Sequence, residues 1–255
     1  MKQFYFISGL PRSGSTLLSS ILKQNPRFHA GISTSLLSLF RHMFEACNEI
    51  TGPESSTSRT ENMLRSVVNC YYNDVPSQVV FDTNRLWTNL LPQLKAVFPY
   101  TKVILCVRDI SRILDSFERM HQINPMTIST VFPKTVDITV YSRMTSLMVD
   151  GGIVKLPYDS VKSSISGMFR PMMFICEYDI LTKNPEGTMR AIYNFIDQPY
   201  FNHDFDNVEN SYDEYDKFLN FPNLHKVFKK VIHQERPYLI PPDVVNLYSN
   251  LEVWR

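Results

Sequence analysis

The segment Gln3-Phe-Tyr-Phe-Ile-Ser-Gly-Leu-Pro-Arg-Ser-Gly-Ser-Thr16 decides the fold. Residues 3–8 are mostly aromatic or apolar, which is typical of a short buried strand, and Gly9 ends the run. Turn-forming residues follow, and then an apolar-periodic stretch from Ser15 to Gln24 predicts a helix. The segment therefore predicts a strand, a tight loop and a helix in succession.

The same alternation of short strands and helices recurs along the chain. The further predicted strands are Val79–Asp82, Lys102–Val107 and Met172–Cys176, and the helices are Trp87–Phe98, Ile110–Gln122 and Pro185–Ile196. Because these strands are continuously apolar rather than alternating, they indicate a parallel sheet that is covered on both faces. We therefore predict an α/β fold of the P-loop type, with three layers and a central parallel sheet flanked by helices.

Two stretches depart from this alternation. Thr51–Thr60 is polar and predicts a loop between helical segments. The stretch from Asn124 to Arg170 predicts two helices with a break at Gly151-Gly152 and no strand, so we interpret it as a helical insertion over the sheet edge. Ligand recognition and simple helical packing are both open as its role. With no repeat, low-complexity tract or linker, residues 1–255 are predicted to form a single domain.

Composition limits the kinds of partner. The 26 Lys and Arg residues nearly balance 25 Asp and Glu, for a net charge of +1, which disfavours binding to nucleic acid or anionic lipid through bulk charge. An anionic ligand must therefore be held by a few placed groups. No apolar run approaches the roughly 20 residues of a membrane span. Four cysteines without CxxC spacing are predicted to be reduced core thiols, and we expect a cytoplasmic location.

The loop after the first strand has the chemistry of a phosphate site. Gly9 to Thr16 matches the P-loop pattern G-x-x-x-x-G-K-[ST] except that Ser15 replaces the lysine. Backbone N–H groups at the helix start, with the hydroxyls of Ser13, Ser15 and Thr16, can cradle a phosphate. The positive charge comes instead from Arg12, whose forked donors suit a terminal oxyanion. The loop predicts one phosphate with an attached anion and no metal; a simple Gly/Ser-rich turn is the alternative.

A second anion-binding cluster is predicted after the strand that ends in Val107-Arg108-Asp109. Ser116 follows Arg108 by eight residues, two turns into the next helix. Ligands of open parallel sheets bind outside the carboxyl ends of the strands, so Arg108 is placed to meet a second phosphate. A structural ion pair of Arg108 with Asp109 or Asp115 is the alternative.

With both motifs, the sequence resembles the sulfotransferases that use 3′-phosphoadenosine 5′-phosphosulfate (PAPS). Gly9-Leu-Pro-Arg-Ser-Gly-Ser-Thr-Leu17 is similar to their 5′-phosphosulfate loop, and Val107-Arg108-Asp109 with Ser116 to their 3′-phosphate motif. The tyrosylprotein branch and its bacterial relatives are the most similar. The resemblance extends over most of the chain and includes Phe98-Pro99 and Glu177-Tyr178-Asp179.

The resemblance implies a PAPS site without metal. It places the 5′-phosphosulfate on Arg12, Ser13, Gly14, Ser15, Thr16 and Leu17, the 3′-phosphate on Arg108 and Ser116, and the nucleoside on Tyr178. Ser211 and Lys226 match a late serine and lysine that also reach the nucleotide in the tyrosylprotein enzymes. For Lys226, a solvated basic helix face over residues 224–230 is the alternative.

Sulfuryl transfer needs a cation near the bridging oxygen and a base for the acceptor. Arg12 is our candidate for the cation. The family usually draws a Glu or His base from a segment that reads Gly31–Ser35 here, or from the end of the second strand, where Thr83 occupies a position that is often lysine. The resemblance therefore assigns no base.

Candidates for the missing groups come from the residues alone. Asp82 is a candidate base and Arg85 a candidate for stabilising the departing sulfate oxygens, because the end of a short buried strand should place both at the rim of Gly9 and Arg108. The alternative is that Asp82 caps the next helix and pairs with Arg85. The reserve bases are His29, His42, His121 and Glu45.

The sequence thus predicts transfer of a sulfuryl group from PAPS to a hydroxylated small molecule, lipid, sugar or peptide. An atypical kinase that uses Mg·ATP, with Asp82 as the metal carboxylate, is one alternative. A binding module that has lost catalysis is another. The acceptor class and the oligomeric state, a homodimer among the states considered, stay open at this point.

Overall fold

Five parallel strands form one sheet in the order β2-β3-β1-β4-β5. The structure is a computed structural model that describes residues 2–49, 56–124, 132, 139–208, 210, 212–218 and 220–255. The strands are β1 Gln3–Gly9, β2 Phe28–Ser33, β3 Val79–Thr83, β4 Val103–Val107 and β5 Met173–Glu177. The predicted parallel sheet is confirmed, with strand ends within one residue for the four predicted strands.

Helices cover both faces of this sheet, which confirms the α/β fold. They are α1 Ser15–Leu22, α2 Leu36–Glu49, α3 Thr57–Tyr71, α4 Leu91–Val97, α5 Ile110–Ile123, α6 Val140–Met148, α7 Lys155–Ile165, α8 Tyr178–Lys183, α9 Pro185–Phe195, α10 Asp213–Phe218 and α11 Pro242–Tyr248. A 3₁₀ turn, Trp87–Leu90, precedes α4. On β1, Tyr5 and Ile7 join the core on one face, while Phe4 and Phe6 join the core on the other. Burial on both faces explains why the strand is continuously apolar.

Strand β2 is absent from the sequence prediction. It pairs only with β3, and its register shifts between Ala30 and Ser33. Four of its six residues are only half-buried, and the segment Phe-His-Ala-Gly-Ile-Ser contains no apolar run. An edge strand of this kind lacks the pattern by which a central strand is recognised.

The helical insertion contains the two predicted helices, α6 and α7, on either side of the Gly151-Gly152 break. A Cβ atom on Gly152 would lie 2.6 Å from the Leu147 carbonyl oxygen, so glycine permits the close turn. Helix α7 contacts the central strand β1, and Ser160 Oγ lies 2.5 Å from Thr88 Oγ1 in the 3₁₀ turn. Helix α7 therefore covers the middle of the sheet, and for this helix the expectation of a position over the sheet edge is wrong.

Two smaller expectations also need correction. Helix α3 begins at Thr57, where Ser56 Oγ accepts a hydrogen bond from Arg59 N at 3.2 Å, so the end of the predicted loop is helical; residues 51–55 lie outside the described ranges. Cys70 is exposed on α3, whereas the other three cysteines are buried as predicted and all four are free. Among the helices that the structure describes, none is both long and apolar enough to cross a membrane.

Candidate active site

A polar pocket of about 960 Å³ lies at the carboxyl ends of the central strands. It is lined by the β1–α1 loop, the residues after β3 and β4, the start of α8 and the late segment 224–236. Strand β1 lies between β3 and β4: after β1 the chain forms β2 and β3 on one side of it and then crosses to β4 on the other side. This is where open α/β sheets bind their ligands.

The β1–α1 loop keeps its shape through left-handed backbone conformations. Gly9 has φ +119°, and a Cβ atom there would lie 2.0 Å from the Cys106 carbonyl oxygen. Gly14 has φ +91°, and a Cβ atom there would lie 2.7 Å from the ring of Tyr178. Arg12 also has a positive φ, 57°. Both motif glycines are thus required by close contacts as well as by the backbone.

Helix α1 presents its N-terminus to the pocket. Gly14 gives no side-chain cap, and the first turn holds no acidic residue. The first intrahelical bond runs from Leu18 N to Gly14 O, 2.9 Å, so the N–H groups of residues 15–17 precede the helix ladder. Ser15, Thr16 and Leu17 line the pocket. Free N–H groups and the helix dipole together favour a phosphate or sulfate there.

Ser13 differs from its neighbours in the loop. Its hydroxyl is buried and donates to the carbonyl oxygens of Leu10, at 2.5 Å, and Cys106, at 3.0 Å. The side chain is not among the residues that line the pocket. The expectation that this hydroxyl adds a donor for phosphate is therefore wrong, because the hydroxyl braces the loop against β4.

Arg12 joins the two predicted clusters. Its Nε donates to Ser116 Oγ at 3.1 Å, and its Nη1 donates to the carbonyl oxygen of Leu224. Burial, together with repulsion from Arg108, lowers the pKa of the Arg12 guanidinium to about 10. The group therefore stays charged at neutral pH, and charge from a ligand would relieve this repulsion.

Arg108 is half-buried and forms no salt bridge with a described carboxylate. Its Nη1 donates to Arg12 O at 3.3 Å, and its guanidinium lies 4.0 Å from the centroid of the Tyr178 ring. Its Nε has no hydrogen-bond partner among the described residues. Asp109 instead caps α5 through Arg112 N, and Asp115 pairs with Arg119 at 2.7 Å. The ion-pair alternative for Arg108 is therefore excluded, and burial lowers its pKa.

Arg85 lies on the β3 side of the pocket. Ser8 Oγ donates to the Arg85 carbonyl at 3.0 Å and accepts from Thr88 N at 3.3 Å, which fixes this turn against β1. The Arg85 side chain lines the pocket, and no carboxylate of the described residues forms a salt bridge with it. Burial lowers its pKa.

Asp82 faces away from this pocket. It is 1% exposed and accepts hydrogen bonds from Thr34 Oγ1 at 2.5 Å, Tyr72 OH at 2.5 Å and the Trp87 indole at 2.6 Å. Burial raises the pKa of its carboxyl group. Successive residues of a strand face opposite sides, so Thr83 lines the pocket and Asp82 does not. The expectations that Asp82 reaches the rim or pairs with Arg85 are wrong.

The late segment at residues 224–230 is not a helix. It runs beside residues 205–208 and Asn210, with bonds from Val208 N to Lys229 O at 2.8 Å and from Val227 N to Asn210 O at 3.1 Å. The helix-face alternative for Lys226 is thus wrong, and its exposed side chain lines the pocket. Ser211 lies outside the described residues.

A histidine–aspartate contact in the pocket wall has no counterpart in the sequence prediction. His225 lines the pocket, and its Nδ1 lies 2.6 Å from Oδ1 of Asp216 on α10. Asp216 Oδ2 also accepts from the backbone N–H of His225 at 3.0 Å. No motif marks two residues that are nine positions apart, one on a short helix and the other in irregular chain. The one signal in the sequence is that His225 adjoins Lys226.

The reserve bases do not reach the pocket. His29 packs on Tyr72 with ring centroids 5.6 Å apart, His42 is exposed on α2, and Glu45 pairs with Arg41 at 2.7 Å. His121 lies edge-on to Phe132, with ring centroids 5.9 Å apart. The residues that line the pocket include none of the four.

The pocket concentrates positive charge. Ten lysines and arginines line it, against three carboxylates, in a chain whose net charge is only +1. The arginines at its centre, Arg12, Arg85 and Arg108, form no salt bridge with any described carboxylate. Such a site can bind a dianionic or more highly charged ligand without a bulk positive surface.

Comparison with known proteins matches this geometry to one family. The profile of the sulfotransferase family covers residues 5–202, from β1 to beyond α9. The chain belongs to the sulfotransferase family. This sulfotransferase is 23% identical over 215 residues to a predicted protein-tyrosine sulfotransferase of Caenorhabditis briggsae, a match that covers 78% of this chain and 67% of the relative.

Solved sulfotransferases share its fold. One from Alicyclobacillus acidocaldarius is 15% identical with a TM-score of 0.53, over 86% of this chain and 92% of the other. The sulfotransferase domain from the curacin biosynthetic pathway is 16% identical with a TM-score of 0.53, over 79% of this chain and 76% of the domain.

Proposed function

We propose that this sulfotransferase moves the sulfuryl group of PAPS to a hydroxyl acceptor by in-line transfer without metal. The observation that carries the proposal is the link from Arg12 Nε to Ser116 Oγ, 3.1 Å, which joins a lysine-free phosphate loop to the Arg108 cluster. A nucleotide with separate 5′ and 3′ anionic groups needs two donor clusters, and both face this pocket.

The residues present fit that co-substrate. The orphaned Nε of Arg108, together with Ser116, offers donors for the 3′-phosphate. Arg12, Gly14, Ser15, Thr16 and Leu17 would hold the 5′-phosphosulfate at the start of α1. Tyr178, at the start of α8, and the exposed Lys226 would complete the nucleotide site. When bound, PAPS supplies the sulfuryl group and the bisphosphate leaving group.

Two arginines are suited to the charge that develops during transfer. Arg12 lies in the loop beside the proposed 5′ site, and Arg85 lines the same pocket from the β3 side. Because neither is neutralised by a described carboxylate, each can stabilise negative charge on the bridging and sulfuryl oxygens. The family often has lysine at the position of Thr83, and Arg85 supplies a cation two residues further along the chain.

The kinase alternative loses its only proposed metal carboxylate. Asp82 is buried on the other face of β3 and accepts three hydrogen bonds from protein side chains. The sequence makes Asp82 a candidate catalytic base and a candidate metal ligand, and its position indicates no third role. Only a measurement of sulfuryl transfer distinguishes a binding module without catalysis from an enzyme.

Labelled transfer tests the proposal. We expect radioactive sulfate from PAPS to appear in one of a set of pooled hydroxylated acceptors, in the presence of EDTA, with tyrosine peptides included because of the nematode relative. The Arg85→Ala variant should transfer at least about tenfold more slowly, since a charge-assisted contact is lost. Magnesium-dependent transfer of phosphate from ATP would instead establish a kinase. Tight nucleotide binding with neither transfer nor PAPS hydrolysis would establish a binding module.

A further inference from the structure

His225 and Asp216 form a hydrogen-bonded pair inside the proposed active site. Asp216 is 1% exposed and holds His225 at two points, the ring Nδ1 at 2.6 Å and the backbone N–H at 3.0 Å. The ring therefore has a fixed position and orientation. Its Nε2 has no hydrogen-bond partner among the described residues, while the ring itself lines the pocket.

The His225 ring is surrounded by groups that we propose to take part in the transfer. Arg12 and Arg85 are near enough that their charges act on the pKa of His225, and Arg12 Nη1 donates to the carbonyl of the preceding residue, Leu224. Tyr215 on α10 packs edge-on against the ring, with centroids 5.3 Å apart. His225 thus lies near both of the cations that are proposed to stabilise the transferring sulfuryl group.

We propose that His225 is the general base for the acceptor hydroxyl and that Asp216 is its positioning residue. With Nδ1–H donating to Asp216, the Nε2 lone pair is left facing the pocket. This inference rests on the proposed function, since it supplies the base for which the resemblance offers no residue.

The step conserves atoms and charge. As the acceptor oxygen forms a bond to sulfur, its proton passes to His225 Nε2. The bond between sulfur and the 5′-phosphate oxygen breaks, and its electron pair stays on the phosphate of 3′,5′-adenosine bisphosphate. The products are the sulfate ester, the bisphosphate and an imidazolium ion, which then loses its proton to water.

The charges around His225 keep it available as a base. Burial lowers the pKa of the imidazole, and Arg12 and Arg85 lower it further, whereas Asp216 acts in the opposite direction. The group is therefore neutral at pH 7, and Asp216 compensates part of the cost of the imidazolium formed during transfer. The transfer rate should rise with pH through a midpoint below the ordinary pKa of histidine and then level off.

Sulfate release from PAPS, with water as acceptor, tests the proposed roles of His225 and Asp216 before the natural acceptor is known. We expect His225→Ala to release sulfate at least about a hundredfold more slowly than the parent and with a flat pH profile. Added imidazole should restore part of the rate. His225→Asn keeps a donor for Asp216 and should be equally slow, while Asp216→Asn should move the midpoint to lower pH. The control is His42→Asn on the exposed surface of α2.

Binding of 3′,5′-adenosine bisphosphate separates the two proposals. We expect each His225 variant to bind it within about threefold of the parent, which also shows that the variant is folded. A parent that does not bind the bisphosphate overturns the proposed function. If the parent binds the bisphosphate, two results overturn the roles proposed for His225 and Asp216. One is sulfate release by the His225 variants at the rate of the parent, and the other is no sulfate release by the parent at any pH.

Discussion

Half-buried arginines that form no salt bridge with a described carboxylate are the main chemical feature of this protein at the scale of the residue. Arg108 keeps an unpartnered Nε, and Arg12 bonds only to a serine hydroxyl and a carbonyl oxygen among the described groups. Burying a charge is costly unless it is paired, and the depressed pKa values of both arginines reflect that cost. A bound polyanion would supply the missing partners, which supports the binding role that we propose for these residues.

Removal of either arginine should therefore weaken nucleotide binding. We expect Arg12→Ala and Arg108→Ala each to raise the dissociation constant of 3′,5′-adenosine bisphosphate more than tenfold, since each loses a charge-assisted contact worth roughly 1.5–3 kcal/mol. Calorimetric titration measures the effect. Arg41→Ala, which removes an exposed arginine paired with Glu45 on α2, is the matched control and should bind as the parent does. Parental affinity in both pocket variants would show that the site is misassigned.

At the scale of the element, the β1–α1 loop depends on Gly9. Its φ of +119° and the approach of the Cys106 carbonyl leave no room for a side chain. We expect Gly9→Ala to destabilise the protein by about 2 kcal/mol or more, because backbone strain and a clash with β4 add together. Chemical denaturation measures the change.

Gly31 on β2 provides the comparison for this substitution. A Cβ atom there would meet no heavy atom within 4 Å, and its backbone is not left-handed. Gly31→Ala should therefore change the free energy of unfolding by less than about 0.5 kcal/mol. Equal stability of the two variants would contradict the account of the loop.

The same elements show how far the sequence predicts the structure. The β1–α1 unit is predictable because its apolar run, glycines and helix start are local signals. The edge strand β2 is not, because half-buried residues leave no apolar run. The sequence prediction puts Asp82 in the pocket, where the structure has the next residue, Thr83. The face that a strand residue presents depends on the register of its strand, and tertiary pairing sets that register, here with Phe6 opposite Asp82.

Some residues of the candidate site are likewise predictable from the sequence, and others are not. Arg12, Arg108 and Ser116 are predictable because each lies in a motif of fixed spacing, and the structure brings them together. His225 and Asp216 are not, because their contact depends on how α10 and the late segment fold back over the pocket. A contact of this kind, between a short helix and an irregular segment, leaves no periodic pattern in the sequence.

At the scale of the whole molecule, burial of His203 couples stability to pH. Its ring is enclosed between Tyr193, whose OH lies 3.1 Å from Nε2, and Phe201. Burial lowers its pKa to about 4, against about 6.5 in the unfolded chain. Between these values the unfolded chain binds a proton that the folded protein does not, so stability falls as the pH falls.

We expect this histidine to remove up to roughly 3 kcal/mol of stability between pH 6.5 and pH 4, with its full contribution present above pH 6.5. Unfolding by urea at a series of pH values measures it. His203→Gln should flatten the profile over this window, whereas His42→Gln on the exposed surface of α2 should leave it unchanged. Identical profiles for the parent and His203→Gln would refute this coupling.

The central claim, at the same scale, is that the carboxyl edge of the sheet binds a nucleotide with separate 5′ and 3′ phosphates and needs no metal. Calorimetric titration with 3′,5′-adenosine bisphosphate in metal-free buffer tests it most directly. We expect saturable binding of one nucleotide per chain that is unchanged by EDTA. This binding should be at least about tenfold tighter than that of adenosine 5′-monophosphate, which lacks the 3′-phosphate for Arg108 and Ser116. Absence of binding, or binding that requires Mg²⁺, would contradict it.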